Sequence, residues 1–318
     1  MLKPATTRPL GDPRNGPVFL RRDLLAAGES DPSIRRMLRD GQIVRIRRGA
    51  YVAAGVWDTL DEDGRFGLRC RAVLRQAKTP AVLSHTSGLP EYEAPTWGFD
   101  LSEVHVTRTD GLGGRRAAGV QQHCGEMHAG DLVVVNGVPV MNPARITLET
   151  TTLGNPEASL CVANHMLHVG LTTLKKLNIQ YVEMQSWPET LAAEIVLRLA
   201  DPRIESVGET RTYFCCYRHS LPMPEPQFEI KDASGRIVAR VDFAWPELGV
   251  FLEFDGKIKY EKLLKPGERA SDVVLAEKKR EEMICRLTGW RCIRVTWAEL
   301  ANPARLAARI RAEIFPAR

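Results

Sequence analysis

No stretch of this 318-residue sequence approaches the roughly 18 consecutive apolar residues that a membrane-spanning helix requires. The segment from Met1 to Leu10 also lacks the apolar run of a secretory signal. Together these absences argue against a membrane partner and for a cytoplasmic protein. Internal repeats and low-complexity tracts are missing too, which excludes a repeat architecture. Cysteine is present but without pattern: seven residues, an odd number, with no CxxC spacing. Cys215 and Cys216 are adjacent in a segment that reads as helix, a poor arrangement for a disulfide. A reduced environment is the expectation, and a disulfide framework is excluded.

What is there is ordinary in bulk, with 44% apolar and 26% charged residues. The length suggests two or three domains. A formal charge of +5 and a pI near 8.8 permit a polyanionic partner without demanding one. The basic residues concentrate early, where residues 21–48 hold eight arginines against four acids.

That segment has a readable order. Phe19 to Gly28 reads as a short helix ended by glycine. A second helix runs from Ser33 to Asp40, with Asp31 as N-cap and Pro32 at the first helical position. Ile34, Met37 and Leu38 share one face, and Arg35, Arg36 and Arg39 another. Ile43 to Val52 is an alternating strand, a glycine turn and a second strand. Two short helices and a basic hairpin are the plan of a winged helix-turn-helix. Guanidinium groups suit phosphates and a helix suits the major groove, so Arg35, Arg36, Arg39, Arg45, Arg47 and Arg48 are the candidate DNA-contacting residues. The run Leu38-Arg-Asp-Gly-Gln-Ile-Val-Arg-Ile-Arg-Arg-Gly-Ala-Tyr-Val52 resembles the N-terminal winged-helix domain of AbiEi-type antitoxins.

Residues 61–185 mix both element types. Arg65 to Ala77 reads as helix, Val104 to Thr107 as strand, and Leu132 to Val140 as a hairpin with an Asn136-Gly137 turn. Asn142-Pro143 opens one helix and Pro156 another. Ser84-His85, Asn142-Pro-Ala-Arg145 and Gly170-Leu-Thr-Thr-Leu-Lys175 resemble the region following the winged helix in AbiEi-like proteins. His123, Cys124 and His128 offer donors of the kinds zinc accepts. Their spacing fits no standard site, and they read, like His85, as structural residues.

The chemistry concentrates between Arg240 and Lys257. Two strands flank a Pro246-Glu-Leu-Gly249 turn. Glu253 and Asp255 alternate onto one face of the second, with Leu252 and Phe254 on the other, and Asp242 lies across the turn. Three carboxylates converging in an apolar sheet are costly unless something positive joins them. A hard divalent cation with oxygen ligands is the natural occupant, and Lys257 is the companion that phosphodiester chemistry would use. Around this hairpin, Leu221 to Pro226 reads as a stiff linker and Phe228 to Phe243 as a hairpin. A charged helix covers about 272–287, with Lys278, Lys279 and Arg280 on its solvated face. A strand from Trp290 and a helix from Pro303 complete the order α-β-β-β-α-β.

That order, with Ser206-x-x-Glu209, Val241-Asp-Phe-x-Trp-Pro246, Glu253-Phe-Asp-Gly-Lys257 and the Gly289-Trp290 strand entry, resembles the PD-(D/E)XK nuclease superfamily. The resemblance is to its DUF559 and very-short-patch-repair-like branch. It implies Mg²⁺ (or Mn²⁺) held by Asp242 and Glu253, with Glu209 contributing from its helix. Asp255 stands where a simple Glu-x-Lys pattern has lysine. Read as Glu-x-Lys, Asp255 is a further ligand and the lysine comes from Lys257, Lys278 or Lys279. Read as Asp-x-Lys, Asp255 and Lys257 form the pair and Glu253 is secondary. Strand alternation favours Glu253 and Asp255 as joint site residues. Glu209 also completes a capping box, a role that can coexist with a catalytic one.

The expected fold is an α+β or α/β multidomain protein. It comprises a winged helix-turn-helix (1–60), an AbiEi-like mixed α/β middle (61–185) and a restriction-endonuclease-like mixed sheet flanked by helices (186–318). The expected catalytic set is Glu209, Asp242, Glu253, Asp255 and Lys257, with Asp242, Glu253 and Asp255 on the metal. The implied partner is nucleic acid, double-stranded DNA first, with a toxin or defence-system protein a further partner. The implied function is a Mg²⁺-dependent endonuclease. The alternatives are an antitoxin-like transcriptional regulator whose nuclease-fold domain is inactive, and a non-catalytic partner-binding protein.

Overall fold

Ser30 caps helix α2 (Asp31–Arg39), its hydroxyl accepting from the Ser33 N–H at 3.3 Å. Pro32 sits in the first turn, where a missing N–H costs nothing. The cap thus falls one residue before Asp31, because the Ser30 hydroxyl reaches the amide three residues on. Before α2 come β1 (Phe19–Leu20) and α1 (Arg21–Ala26), and after it β2 (Ile43–Arg47) and β3 (Ala50–Ala53). The strands form one sheet in the order β1-β3-β2. Leu24, Ile34, Ile43 and Tyr51 close a small core between helices and hairpin. That core turns Arg35, Arg36 and Arg39 outward to solvent.

The computed structural model describes residues 8–9, 11–185, 187, 191–256 and 270–316, the side chains of 270–276 excepted. The expected lysine, Lys257, lies outside the described residues. Two compact units divide between Ala200 and Asp201, beyond the expected boundary at 185/186. In the first unit, α3 (Ala54–Asp58) and α4 (Glu62–Gln76) lead into β4 (Ala81–Leu83), β5 (Val104–Arg108), β6 (Arg116–Ala117), β7 (Val120–His123), β8 (Leu132–Val135) and β9 (Val138–Met141). These six strands order as β6-β7-β5-β4-β9-β8, with β5 and β7 parallel. A 3-10 segment, His85–Tyr92, is buried along its whole length between β4 and the loop toward β5. Asn142 caps α5 (Pro143–Thr151), which packs with α6 (Pro156–His168), α7 (Leu174–Met184) and α8 (Leu191–Leu199). Helix α8 belongs to this first unit because Ala193 joins Ala144, Leu148, Leu177 and Met184 in one apolar cluster.

The second unit follows the expected α-β-β-β-α-β order. Helix α9 (Val207–Arg218) precedes β10 (Glu225–Lys231), β11 (Ile237–Trp245) and β12 (Val250–Asp255). Then come α10 (Ala270–Thr288), β13 (Arg291–Thr296), α11 (Trp297–Leu300) and α12 (Pro303–Ile314). The four strands lie in sequence order, antiparallel except for the parallel pair β12–β13. Strand β10 takes Glu225 and Pro226 into the sheet, so the expected linker ends earlier. Phe243, Trp245, Leu252, Phe254, Ile293 and Val295 pack on one face with residues of α9, α11 and α12. Ala244 and Phe251 pack on the opposite face with Ile284 of α10. By alternation, Asp242, Glu253 and Asp255 belong to this second face.

Candidate functional site

Strand register brings the acids together. Phe243 pairs with Leu252 in the antiparallel β11–β12 ladder, and one step further sets Asp242 opposite Glu253. The tight return depends on Gly249, which adopts φ +62 at the end of the Pro246–Leu248 turn. Asp242 Oδ2 accepts the backbone N–H of Phe254 at 2.7 Å, locking the hairpin partner to the carboxylate. Glu209 arrives from α9. Its amide donates to the capping Ser206 at 3.1 Å, and the Ser206 hydroxyl donates back to Glu209 Oε1 at 2.6 Å. Glu209 is 3% exposed, and its Oε2 accepts from Gln227 Nε2 at 3.0 Å. The helix start can approach the sheet because residue 208 is glycine: any Cβ there would fall on the ring of Phe254.

These residues line one cavity of about 220 Å³. Glu205, Glu209, Asp242, Glu253, Asp255 and Glu277 contribute carboxyl groups to it, and Arg240, Arg280 and Arg294 contribute guanidinium groups. Six acids against three bases leave a negative surplus among the described residues. Its effect is legible on Glu253. Burial, reinforced by the charge of Asp242, pushes this carboxyl up from 4.5 to about 7, against the weaker pull of Arg280 and Arg294. The bases are partly committed: Arg280 to Glu253 at 3.0 Å, Arg240 to Glu205 at 2.8 Å, and Arg294 to Glu281 at 2.7 Å.

Of the expected site, Glu209, Asp242, Glu253 and Asp255 meet at this cavity. Lys278 and Lys279 are solvent-exposed on α10 and do not line it. Arg280, exposed as expected, also reaches Glu253 and donates to the Arg240 carbonyl. Gln227 was not singled out in the sequence. It sits opposite Asp242 by register and holds φ +53, a conformation uncommon outside glycine and one that clusters at functional sites. No local signal marked it, since β10 carries other polar residues, Glu225, Glu229 and Lys231.

In the first unit the expected DNA-contacting set divides. Arg35, Arg36, Arg39, Arg45 and Arg48 are exposed. Arg47 is half-buried and donates to Gln76 Oε1 at 3.0 Å, so it serves the contact between β2 and α4. Burial lowers its pKa.

Comparison with known proteins places one match at the N-terminus. Residues 12–54 match the family of AbiEi antitoxin transcriptional regulators. The matched span holds both helices and the hairpin, so an AbiEi-like segment occupies the N-terminus. Two curated relatives, uncharacterized proteins MT2308 and Rv2248 of Mycobacterium tuberculosis, are each 33% identical over 129 residues. The match covers 40% of this chain and 44% of each relative, so the chain spans less than half of their length. A crystal structure of the RV2827C protein from Mycobacterium tuberculosis is similar over 63% of this chain and 86% of that one, at 15% identity and a TM-score of 0.36. No helix among the described residues is long and apolar enough to cross a membrane.

The first unit also holds a group that sequence reading missed. His85, His105 and His123 each offer a ring nitrogen, all within 4.8 Å of one another. Cys124 and His128, the neighbours weighed with His123, are not part of it. The ligating atoms come from the 3-10 segment, β5 and β7, so no local spacing announces them.

Proposed function

We propose that this chain binds DNA through its N-terminal helix–helix–hairpin segment and hydrolyses nucleic-acid phosphodiesters, double-stranded DNA first among them, at the Asp242–Glu253 site with Mg²⁺ or Mn²⁺. One observation carries the reading. Two carboxylates face each other across adjacent strands at a cavity with surplus negative charge, and one keeps its proton up to about pH 7. A strongly perturbed acid in a cleft is the mark of a functional site more than of a sheet.

The donor types suit a hard divalent ion, although among the described residues the donors gathered within 4.8 Å as a set of three are those of His85, His105 and His123. The donors at the Asp242–Glu253 site are carboxylate oxygens, and the surplus of acids over guanidinium groups is the charge such an ion offsets. Asp242, Glu253 and Asp255 would hold it. When bound, the ion supplies a water acidic enough to attack a phosphodiester and a positive charge beside the phosphate oxygens. The chain's own groups divide the remaining work. Glu253, opposite Asp242 in the ladder, offers its carboxylate to the ion once deprotonated. Gln227 and Ser206 fix Glu209 in one rotamer at the cavity wall. Arg240 and Arg294 offer positive charge to flanking phosphates.

A second reading draws on a different observation. The Arg280 guanidinium already neutralises Glu253 at 3.0 Å, as it would in a unit that keeps the nuclease fold without the reaction. Combined with the AbiEi-like N-terminus, this favours an antitoxin-like regulator with a toxin or defence-system protein as its partner. Incubation of the purified chain with plasmid and single-stranded DNA, plus Mg²⁺ or Mn²⁺, separates the two. The first reading requires cleavage that Asp242→Asn and Glu253→Gln abolish. No cleavage, together with sequence-selective DNA binding lost in Arg35→Ala/Arg36→Ala, establishes the second.

A further inference from the structure

His85 opens the 3-10 segment in a left-handed conformation, φ +50. His105 lies on β5 and His123 on the parallel neighbour β7. The His85 and His123 rings stack with centroids 3.8 Å apart, and His105 Nδ1 lies 2.9 Å from His123 Nε2. Thr107 pairs with His123 in the register and shares the face of His105. Its buried hydroxyl has no hydrogen-bond partner among the described residues.

We propose that His85, His105 and His123 form a binding site for one divalent transition ion of the zinc class, with a fourth position open to water or a ligand. Imidazole donors suit such ions and not Mg²⁺. Two nitrogens about 2.0–2.1 Å from one ion at tetrahedral or octahedral angles lie roughly 2.8–3.4 Å apart. The His105–His123 pair at 2.9 Å already meets this, and all three donors lie within 4.8 Å. His105 and His123 are only partly buried, which leaves an entry path.

The outer contacts are those of a ligating histidine. His85 Nδ1 lies 3.1 Å from Ser84 Oγ and 3.8 Å from Glu149 Oε2, so Nε2 is the nitrogen left for an ion. Glu149 is itself held by the His85 backbone N–H and by Arg145, each at 3.0 Å. Arg145, buried between Asp131 and Glu149, holds Glu149 in place behind His85. Ligation needs the rings to turn from their near-parallel setting of 16–30° until their lone pairs converge, replacing the His105–His123 contact.

The test is Co²⁺ titration of the full chain after EDTA treatment, read by visible absorption, with Zn²⁺ competition. In the Asp242→Asn/Glu253→Gln background the proposal expects one equivalent per chain, a d–d spectrum without a thiolate charge-transfer band, and displacement by Zn²⁺. His105→Gln and His123→Gln should each weaken binding more than about 100-fold, beyond the ~10–100-fold expected for the outer partner in Glu149→Gln. Asp242→Asn/Glu253→Gln should leave the Co²⁺ site unchanged. In case the histidine variants fail to fold, ring-nitrogen NMR of the wild type supplies a second reading. Zn²⁺ should shift three of the seven histidines and leave the other four. No saturable binding, a thiolate band from Cys124, unchanged binding in folded histidine variants, or shifts at other histidines would each overturn the assignment.

Discussion

Replacing Glu253 by glutamine removes an ionisation that the folded C-terminal unit resists. In the folded chain, burial and Asp242 hold the carboxyl at about 7 instead of 4.5. This is a raised acid, so the folded state keeps a proton that the unfolded state releases between those values. Stability therefore falls as pH rises through the window from 4.5 to about 7, and the loss is complete above it. The two values differ by the equivalent of about 3 kcal/mol, and the side chain is only 16% exposed, so little of this is screened away. Glutamine stays neutral throughout. Glu253→Gln in EDTA should thus be more stable than wild type by about 3 kcal/mol at pH 8 and by under ~1 kcal/mol at pH 5. Urea unfolding followed by tryptophan fluorescence measures this, in a background where Trp57, Trp97 and Trp187 are phenylalanine and only the C-terminal unit reports. Equal or lower stability of the variant at pH 8, or a gain that does not shrink toward pH 5, refutes the reasoning. Under the hydrolytic reading the same variant is inactive, so stability and activity move in opposite directions.

Gly208→Ala should destabilise the C-terminal unit by about 1–3 kcal/mol in urea unfolding, because its Cβ would meet the Phe254 ring. Arg145→Met leaves Asp131 and Glu149 buried without their cation, and thermal and urea unfolding should show a loss of about 3–5 kcal/mol. Arg35→Ala and Arg36→Ala should each reduce the slope of log K against log salt for duplex DNA by about 0.9, measured by fluorescence anisotropy. Arg47→Ala should change that slope less, since Arg47 is held by Gln76.

Much of the C-terminal unit was legible because its signals are local. The Pro246–Gly249 turn, the alternation through Glu253 and Asp255, and the Ser206–Glu209 cap each lie within a few residues. The Asn136-Gly137 hairpin and the Asn142 cap read correctly for the same reason. What escaped depends on distant chain segments meeting. Arg280 is solvated as read, but its contact escaped because only the register of α10 against β12 brings it to Glu253. Gln227 gained meaning from Asp242 across the ladder. The three histidines come from segments whose neighbourhood is decided by a β5–β7 parallel pairing that no turn announces. The Leu221–Pro226 stretch read as linker because its prolines disfavour helix, yet the first strand of a sheet tolerates Pro226 at its edge.

The parallel β12–β13 ladder has a consequence for when this site exists during synthesis. Val250 pairs with Arg291 and Asp255 with Thr296, so the pairing waits on the whole intervening chain. Loop closure across such a separation is slow and comes before any contact can reward it. The β11–β12 hairpin, with both acids, emerges from the ribosome first, while Arg280 and Arg294 follow later. A nascent or truncated chain ending before β13 therefore carries the acids without the parallel strand pairing and without Arg294. Assembly of the cavity is a late event, tied to completion of the unit.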